Sequence, residues 1–251
     1  MAKTNQLQKV IKNSDSILQT LKKYADYETA QHSQKFFKTA KGEYGYGDLF
    51  LGVRVPLLRK LAKFNNEIAL DDLEKCIASK YHEMRFTALL ILVDRSRKLS
   101  QKKEKKEQQR ILNFYLDNLD FVNNWDLVDL SAHSILGQAI LDGLEKKEIL
   151  NNLAQSKNLW RRRIAIIATW ALIKNGEVET TLRLAKILLG DKEDLMHKAM
   201  GWMLREGWKR QPLKIESFLA KNYHNIPRVM LRYAIERMEK TRRQMFLSGM
   251  I

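Results

Sequence analysis

The stretch LWRRRIAIIATWALI, residues 159–173, decides the fold because its pattern recurs along the chain. Its apolar residues return every three to four positions and small residues lie in the middle of that face, as expected of an amphipathic helix. The other occurrences are EMRFTALLIL (83–92), NWDLVDLSAHSIL (124–136), DLMHKAMGWMLRE (194–206) and RVMLRYAIERM (228–238). One structural unit is therefore used several times.

The spacing of these helices predicts a solenoid of helix pairs. The marker residues Arg85, Asp126, Arg163, Lys198 and Arg232 follow one another at steps of 41, 37, 35 and 34 residues. Such a period is typical of stacked helix-pair repeats. The partner helices are expected in the intervening stretches, residues 103–118, 145–154, 178–188 and 211–220. We expect an all-α solenoid with a concave groove, lined by lysine and arginine at equivalent places in the repeats.

The whole chain, residues 1–251, is expected to form a single domain, with N-terminal helices over 1–40 and repeats over about 57–240. Between them, GEYGYGDLFLGVRVP (42–56) contains glycines and a proline that indicate an ordered turn or loop. Its glycines lack the spacing of a phosphate-binding loop. The charge run QKKEKKEQ (101–108) is predicted to be a solvated connector or helix surface, with a binding tail as the alternative.

The composition indicates a polyanionic partner. Lys and Arg number 45 against 29 Asp and Glu, for a net charge of +16, which favours nucleic acid first and anionic membrane second. The single cysteine, Cys76, excludes an intrachain disulfide and a thiolate zinc cluster, and it is predicted to be buried. The histidines lack metal-ligand spacing, so no metal is expected. We see no signal-peptide pattern and no membrane-spanning run, and expect a cytoplasmic protein.

Trp125 and Asp129 are the first candidate site residues. They lie four residues apart and share one face of a predicted helix, at the edge of its apolar stripe. That stripe comprises Val128, Ala132, Ile135, Leu136 and Ala139. A carboxylate at an apolar edge is costly unless it is paired, so Asp129 either forms a salt bridge to a neighbouring repeat or faces a cation that arises during a reaction. Asp126, early in the helix, is predicted to cap free N–H groups.

Two later helices supply further candidates. Trp202 lies off the apolar stripe of its helix and is flanked by Lys198 and Arg205; a functional indole and an indole packed on a neighbouring repeat both remain open. In the helix at 158–174, Trp160 is predicted to be core. Arg163 lies at the stripe's edge, where its guanidinium is expected to reach outward, either to a phosphate or to an interhelical ion pair.

Three ordered motifs, NNWDLVDL, LWRRRIAI and HKAMGWMLRE, resemble the HEAT-like-repeat DNA alkylation repair glycosylases of the AlkD type, over residues from about 30 to 240. The resemblance implies a right-handed α-α superhelix of HEAT-like repeats that binds duplex DNA in a basic groove. The segment GEYGYGDLFLGVRVPLLRKL is similar to the opening segment of many members. It is longer and richer in glycine than in some, so no contacts are transferred from it.

The resemblance further implies hydrolysis of the N-glycosidic bond of cationic N3- or N7-alkylated purines, as in base excision repair, without a base-flipping pocket. Trp125, Asp129 and Trp202 match the family's catalytic residues. Arg163 matches a groove arginine of the family, and Arg205 follows Trp202 in its WxxRE pattern. Together with Lys198, these two arginines are expected to bind the DNA backbone. No metal or cofactor is implied, and we expect a monomer. The alternatives are a non-catalytic module for damaged or distorted duplex DNA and a protein–protein scaffold, which the charge disfavours.

Overall fold

The computed structural model describes residues 13–251, and its regular structure is helical. Contacts within the chain divide it into two compact units. The N-terminal unit ends at Ser131 and the C-terminal unit begins at Ala132. Within the described range, extended pairing is limited to an isolated parallel bridge between Leu49 and Tyr81. The all-α fold class is thus confirmed, while residues 1–12 of the predicted N-terminal helices lie outside the described residues.

The N-terminal unit is organised around one long buried helix. Its helices are α1 (Ser14–Lys23), α2 (Tyr27–Phe36), α3 (Val55–Phe64), α4 (Leu70–Ile77), α5 (His82–Lys102), α6 (Lys105–Asp117) and α7 (Trp125–Ser131), with a 3₁₀ turn at Leu119–Phe121. Helix α5 packs against α3, α4, α6 and α7. Residues 82–92 of α5 are buried on every side, as expected of a helix enclosed by neighbours. It is therefore the scaffold on which α7 is placed.

The C-terminal unit repeats the arrangement of long helices with shorter partners. It contains a π-helical turn (His133–Gly137), α8 (Gln138–Leu141), α9 (Glu148–Ala154), α10 (Leu159–Lys174), α11 (Glu179–Ile187), α12 (Asp194–Trp208), α13 (Pro212–Lys221), a 3₁₀ turn (Tyr223–Asn225), α14 (Arg228–Ala234) and α15 (Lys240–Ser248). Helix α10 packs on α9, α11 and α12, and α12 packs on α13 and α14. Within the unit, α10 and α12 thus pack on shorter helices beside them in sequence and on each other.

The helix periodicity predicted this organisation correctly. The expected partner helices correspond to α6, α9, α11 and α13. The predicted apolar stripes of α10 and α12 are buried, and Trp160 is a core residue as expected. The stripe predicted for one helix at 124–140 is also buried, but the structure divides that segment into α7, the π-helical turn and α8. The charge run at 101–108 covers the end of α5, the two-residue link and the start of α6, and its residues up to Glu107 are exposed, which confirms a solvated connector and helix surface.

Gly201 marks the closest approach between α12 and α14. A Cβ atom added there would lie 2.5 Å from the Met230 carbonyl oxygen and 2.5 Å from the Tyr233 Cβ atom. Real carbon–oxygen contacts are much longer than this, so only glycine lets the two helices meet here. At Gly190, by contrast, an added Cβ atom would meet nothing within 4 Å.

We predict that Gly201→Ala destabilises the protein by about 1–3 kcal/mol, because α14 must move away from α12 to admit the methyl group. The matched variant Gly190→Ala should change stability by no more than about 0.5 kcal/mol. Urea denaturation followed by circular dichroism measures both. Equal stability of the two variants would contradict the close helix approach.

Candidate functional site

The first turn of α7 is fixed by its own polar side chains. Asn124 is buried, and its Oδ1 accepts the N–H of Trp125 at 2.8 Å. Asp126 Oδ1 accepts the N–H of Leu127 at 2.8 Å. The predicted capping role of Asp126 is therefore confirmed. Both residues flanking Trp125 contribute to holding the start of the helix.

The indole of Trp125 rests on an aromatic support from the C-terminal end of α2. The ring of Phe37 lies nearly parallel to it, with centroids 5.3 Å apart. Phe36, which is 57% exposed, meets the indole edge-on at 6.0 Å. Such ring pairs favour defined orientations over free rotation. Trp125 is half-buried, so one indole surface is held by the protein while part of the side chain remains at the surface.

Asp129 lies one helical turn after Trp125 and is also half-buried. Leu127 and Val128, between them in sequence, are fully buried, and α7 packs on α5. The predicted placement of Trp125 and Asp129 on one helix, at the edge of its buried stripe, is confirmed. The chemical role of Asp129 stays a prediction.

A buried polar network behind Trp125 was not anticipated from the sequence. His82, the first residue of α5, has a side chain only 4% exposed. Its Nδ1 lies 3.1 Å from Asp48 Oδ2 and its Nε2 lies 2.8 Å from Asp126 Oδ2. Arg85 donates to Asp48 Oδ1 at 2.5 Å, and Asn124 donates to Asp48 Oδ2 at 3.3 Å. We call these five residues the His82 network.

The charges of the His82 network are set by its contacts. Burial by itself lowers the pKa of His82, but the charge of Asp126 and the hydrogen bonds to Asp126 and Asp48 outweigh it and raise that pKa to about 9. Burial raises the pKa of Asp48, yet the contacts with His82 and Arg85 hold it below its usual value. At neutral pH the imidazole is therefore a buried cation between two carboxylates.

The glycine-rich loop is anchored to α5 by Glu83. Its carboxylate accepts the N–H groups of Leu51 at 3.0 Å, Gly52 at 2.8 Å and Val53 at 3.3 Å. Gly52 has a φ of +80°, and a Cβ atom there would lie 2.1 Å from the Asp26 carbonyl oxygen, so the position requires glycine. The predicted ordered loop is confirmed. Its cluster of N–H groups is occupied by the protein's own carboxylate rather than open to a phosphate.

Trp202, in the C-terminal unit, is half-buried on α12. Its ring lies 5.2 Å from that of Trp170 on α10, so the packing on a neighbouring helix that we considered is present. Trp170 also meets His133 edge-on at 4.5 Å and carries Lys174 Nζ 4.0 Å from its centroid. Burial and, secondarily, Lys174 lower the pKa of His133 to about 4, so this imidazole is neutral at physiological pH.

The cationic candidates of the C-terminal unit differ from one another in exposure. Arg163 is only 5% exposed, and its Nη1 donates to the Leu195 carbonyl of α12; the expectation that its guanidinium reaches outward is wrong. Arg205 is partly buried and pairs with Glu236 and Glu206. Lys198 is at the surface and pairs with Asp194 at 2.7 Å. Of the three, Lys198 has the most exposed side chain.

The remaining sequence predictions concern Cys76, metal binding and membrane-spanning helices. Cys76 is buried as predicted, and burial raises its pKa to about 12, which makes the thiol a poor nucleophile. Among residues 13–251, no group of three His, Cys, Asp or Glu side chains is arranged to hold a metal ion. In the same range, every helix is too short or too polar to cross a bilayer.

Comparison with known proteins found a matching family and a solved structure of similar fold. A family model described as DNA alkylation repair enzyme matches residues 17–238. A solved structure described as a predicted DNA alkylation repair enzyme from Enterococcus faecalis has a similar fold, with a TM-score of 0.65 and 18% sequence identity. The match covers 86% of this chain and 97% of that one. A search of curated proteins gave no significant match.

We predict that the His82 imidazolium makes stability pH-dependent. The pKa of His82 rises from about 6.5 in the unfolded chain to about 9 in the folded protein. The contribution of the charged imidazole to the free energy of unfolding is therefore complete below pH ~6.5 and is lost as pH rises through about 9. In urea denaturation across this range, His82→Gln should therefore lose less stability with rising pH than the wild type does. The lysines, tyrosines and cysteine are common to both proteins, so their titration cancels in the difference between the two stability curves. Parallel curves would contradict a buried imidazolium.

Proposed function

Because the chain belongs to the DNA alkylation repair enzyme family, we propose that it is a DNA glycosylase acting on cationic N3- or N7-alkylated purines in duplex DNA. The family places the chain in the repair of alkylation damage, with DNA as its partner. A net charge of +16 suits a polyphosphate ligand. The observation that carries the proposal is α7, on which a half-buried carboxylate, Asp129, follows a ring-supported indole, Trp125, by one turn.

The reaction needs little from the protein besides electrostatic stabilisation. An alkylated purine that already carries a positive charge is a good leaving group, so strong acid catalysis is unnecessary. As its bond to the sugar breaks, positive charge develops on the sugar, as in other glycoside cleavages. A fixed carboxylate stabilises that charge and can orient the attacking water. We propose Asp129 for this role and the indole of Trp125 as a second group that attracts the developing cation.

We propose that Trp202 supplies a second indole to the reaction. It suits this role because it is half-buried and backed by the Trp170 ring, so its orientation is restricted before any ligand binds. Lys198 is proposed to bind a DNA phosphate, exchanging its exposed i,i+4 partner Asp194 for it. Arg205 is also proposed to bind DNA, through guanidinium donors other than the Nη1 that pairs with Glu236. Arg163 is not proposed as a phosphate ligand, because it is buried and bonded to α12.

We predict that Asp129→Asn slows base release by about 100-fold or more, because the amide cannot stabilise the developing charge. The measurement is single-turnover release of free methylpurine from duplex DNA treated with a methylating agent, separated by chromatography. Asp117→Asn is the matched control, since Asp117 is an exposed carboxylate at the end of α6. It should release base at the wild-type rate.

Each result that contradicts these predictions points to a different part of the proposal. If Asp129→Asn releases base as fast as the wild type, the role assigned to Asp129 is wrong. Salt-dependent binding to the duplex without base release by the wild type would favour the non-catalytic DNA-binding module. Absence of any duplex affinity would leave the protein–protein scaffold. Sedimentation of the free protein and its DNA complex tests the expected monomer.

A further inference from the structure

We propose that His82 is a positioning residue for this site. It holds the first turn of α7, and therefore Trp125 and Asp129, in a single orientation. The catalytic consequence rests on the proposed function, whereas the positioning itself rests on contacts within the N-terminal unit. His82 touches neither the proposed lesion nor the reacting atoms, so it acts through the residues on α7.

Both backbone neighbours of Trp125 are tied to the His82 network. On the C-terminal side, His82 Nε2 bonds Asp126 Oδ2 at 2.8 Å, and the other oxygen of Asp126 accepts the Leu127 N–H. On the N-terminal side, Asn124 accepts the Trp125 N–H and donates to Asp48. Asp48 in turn is hydrogen-bonded to His82 Nδ1. The imidazole therefore links two hydrogen-bonded paths that end at the N–H groups of Trp125 and Leu127, in the first turn of α7.

The same imidazole also contacts the rings that support the indole. The centroid of the Phe37 ring lies 5.3 Å from that of Trp125 and 5.0 Å from that of His82. Phe50 stacks on both Phe37 and His82, at 5.0 Å and 4.6 Å. Movement of the imidazole would thus shift the Phe37 ring as well as the helix start. Backbone and side chain of Trp125 depend on one buried group.

The chemistry of the network suits orientation better than stability. A buried ionic cluster contributes little net stability compared with apolar side chains of the same volume, because desolvation offsets much of the attraction. Its hydrogen bonds are directional, however, and fix the relative placement of α5, α7 and the loop that carries Asp48. Supporting bonds of this kind keep reacting groups within the narrow tolerance that catalysis requires.

The fold offers a matched control on the same helix. The hydroxyl of the fully buried Tyr115 lies 3.0 Å from Ser131 Oγ, at the C-terminal end of α7. Tyr115→Phe removes a buried hydrogen bond from α7 without touching the His82 network. It therefore reports what general weakening of this helix does to the site.

The experiment compares His82→Gln with Tyr115→Phe in two measurements. The first is quenching of Trp125 fluorescence by acrylamide, with the emission of Trp125 isolated by subtracting the same variant in a Trp125→Phe background. The second is single-turnover base release at saturating methylated duplex. We expect His82→Gln to increase quenching of Trp125 and to slow base release by about tenfold to a hundredfold, the cost of a displacement near 1 Å. The Kd for the duplex should not change.

Tyr115→Phe should leave both the quenching and the rate as in the wild type. If His82→Gln does not fold, Asp126→Asn replaces it, since the amide keeps the acceptor for Leu127 and removes the charge facing His82. Wild-type behaviour of both network variants would overturn the proposal, and so would an equal loss in Tyr115→Phe. If the wild-type protein releases no base, the proposed function fails, and the quenching comparison alone then decides whether His82 positions Trp125.

Discussion

The buried contact of one imidazolium with two carboxylates is the constraint on which the N-terminal unit depends. His82 at the start of α5 bonds Asp48 from the glycine-rich loop and Asp126 from the start of α7. Three segments distant in sequence are thereby held at one point. Because none of these charges can be left unpaired in the interior without a large penalty, the start of α7 has one favoured placement relative to α5 and the loop.

Each unit presents a half-buried indole supported by a second ring. Trp125 rests on Phe37, and Trp202 rests on Trp170. The two supports differ in the charge of the neighbouring imidazole. Two carboxylates keep His82 protonated, whereas burial next to Lys174 keeps His133 neutral. Residue type alone therefore says little about protonation, because the surrounding charges reverse the direction of the shift.

The periodicity of apolar residues predicted the helices and their buried faces well, because apolar side chains recur on the side of each helix that packs against its neighbours. The partner helices, the stripe of α12 and the burial of Trp160 all followed from it. Arg163 shows the limit of the method. A residue at the edge of a stripe can extend to solvent or turn inward, and the Leu195 carbonyl on another helix decided the outcome. Nothing in the sequence near Arg163 indicates that acceptor.

The sequence by itself determined the all-α fold class, the basic character of the chain and the placement of Trp125 and Asp129 on one helix. These properties depend on composition and on spacings of a few residues. Only the tertiary structure decided how α7 is anchored, which side chains support the indoles and which cations are already paired. His82 is 34 residues from Asp48 and 44 from Asp126, and no local pattern encodes a contact that folding alone brings together.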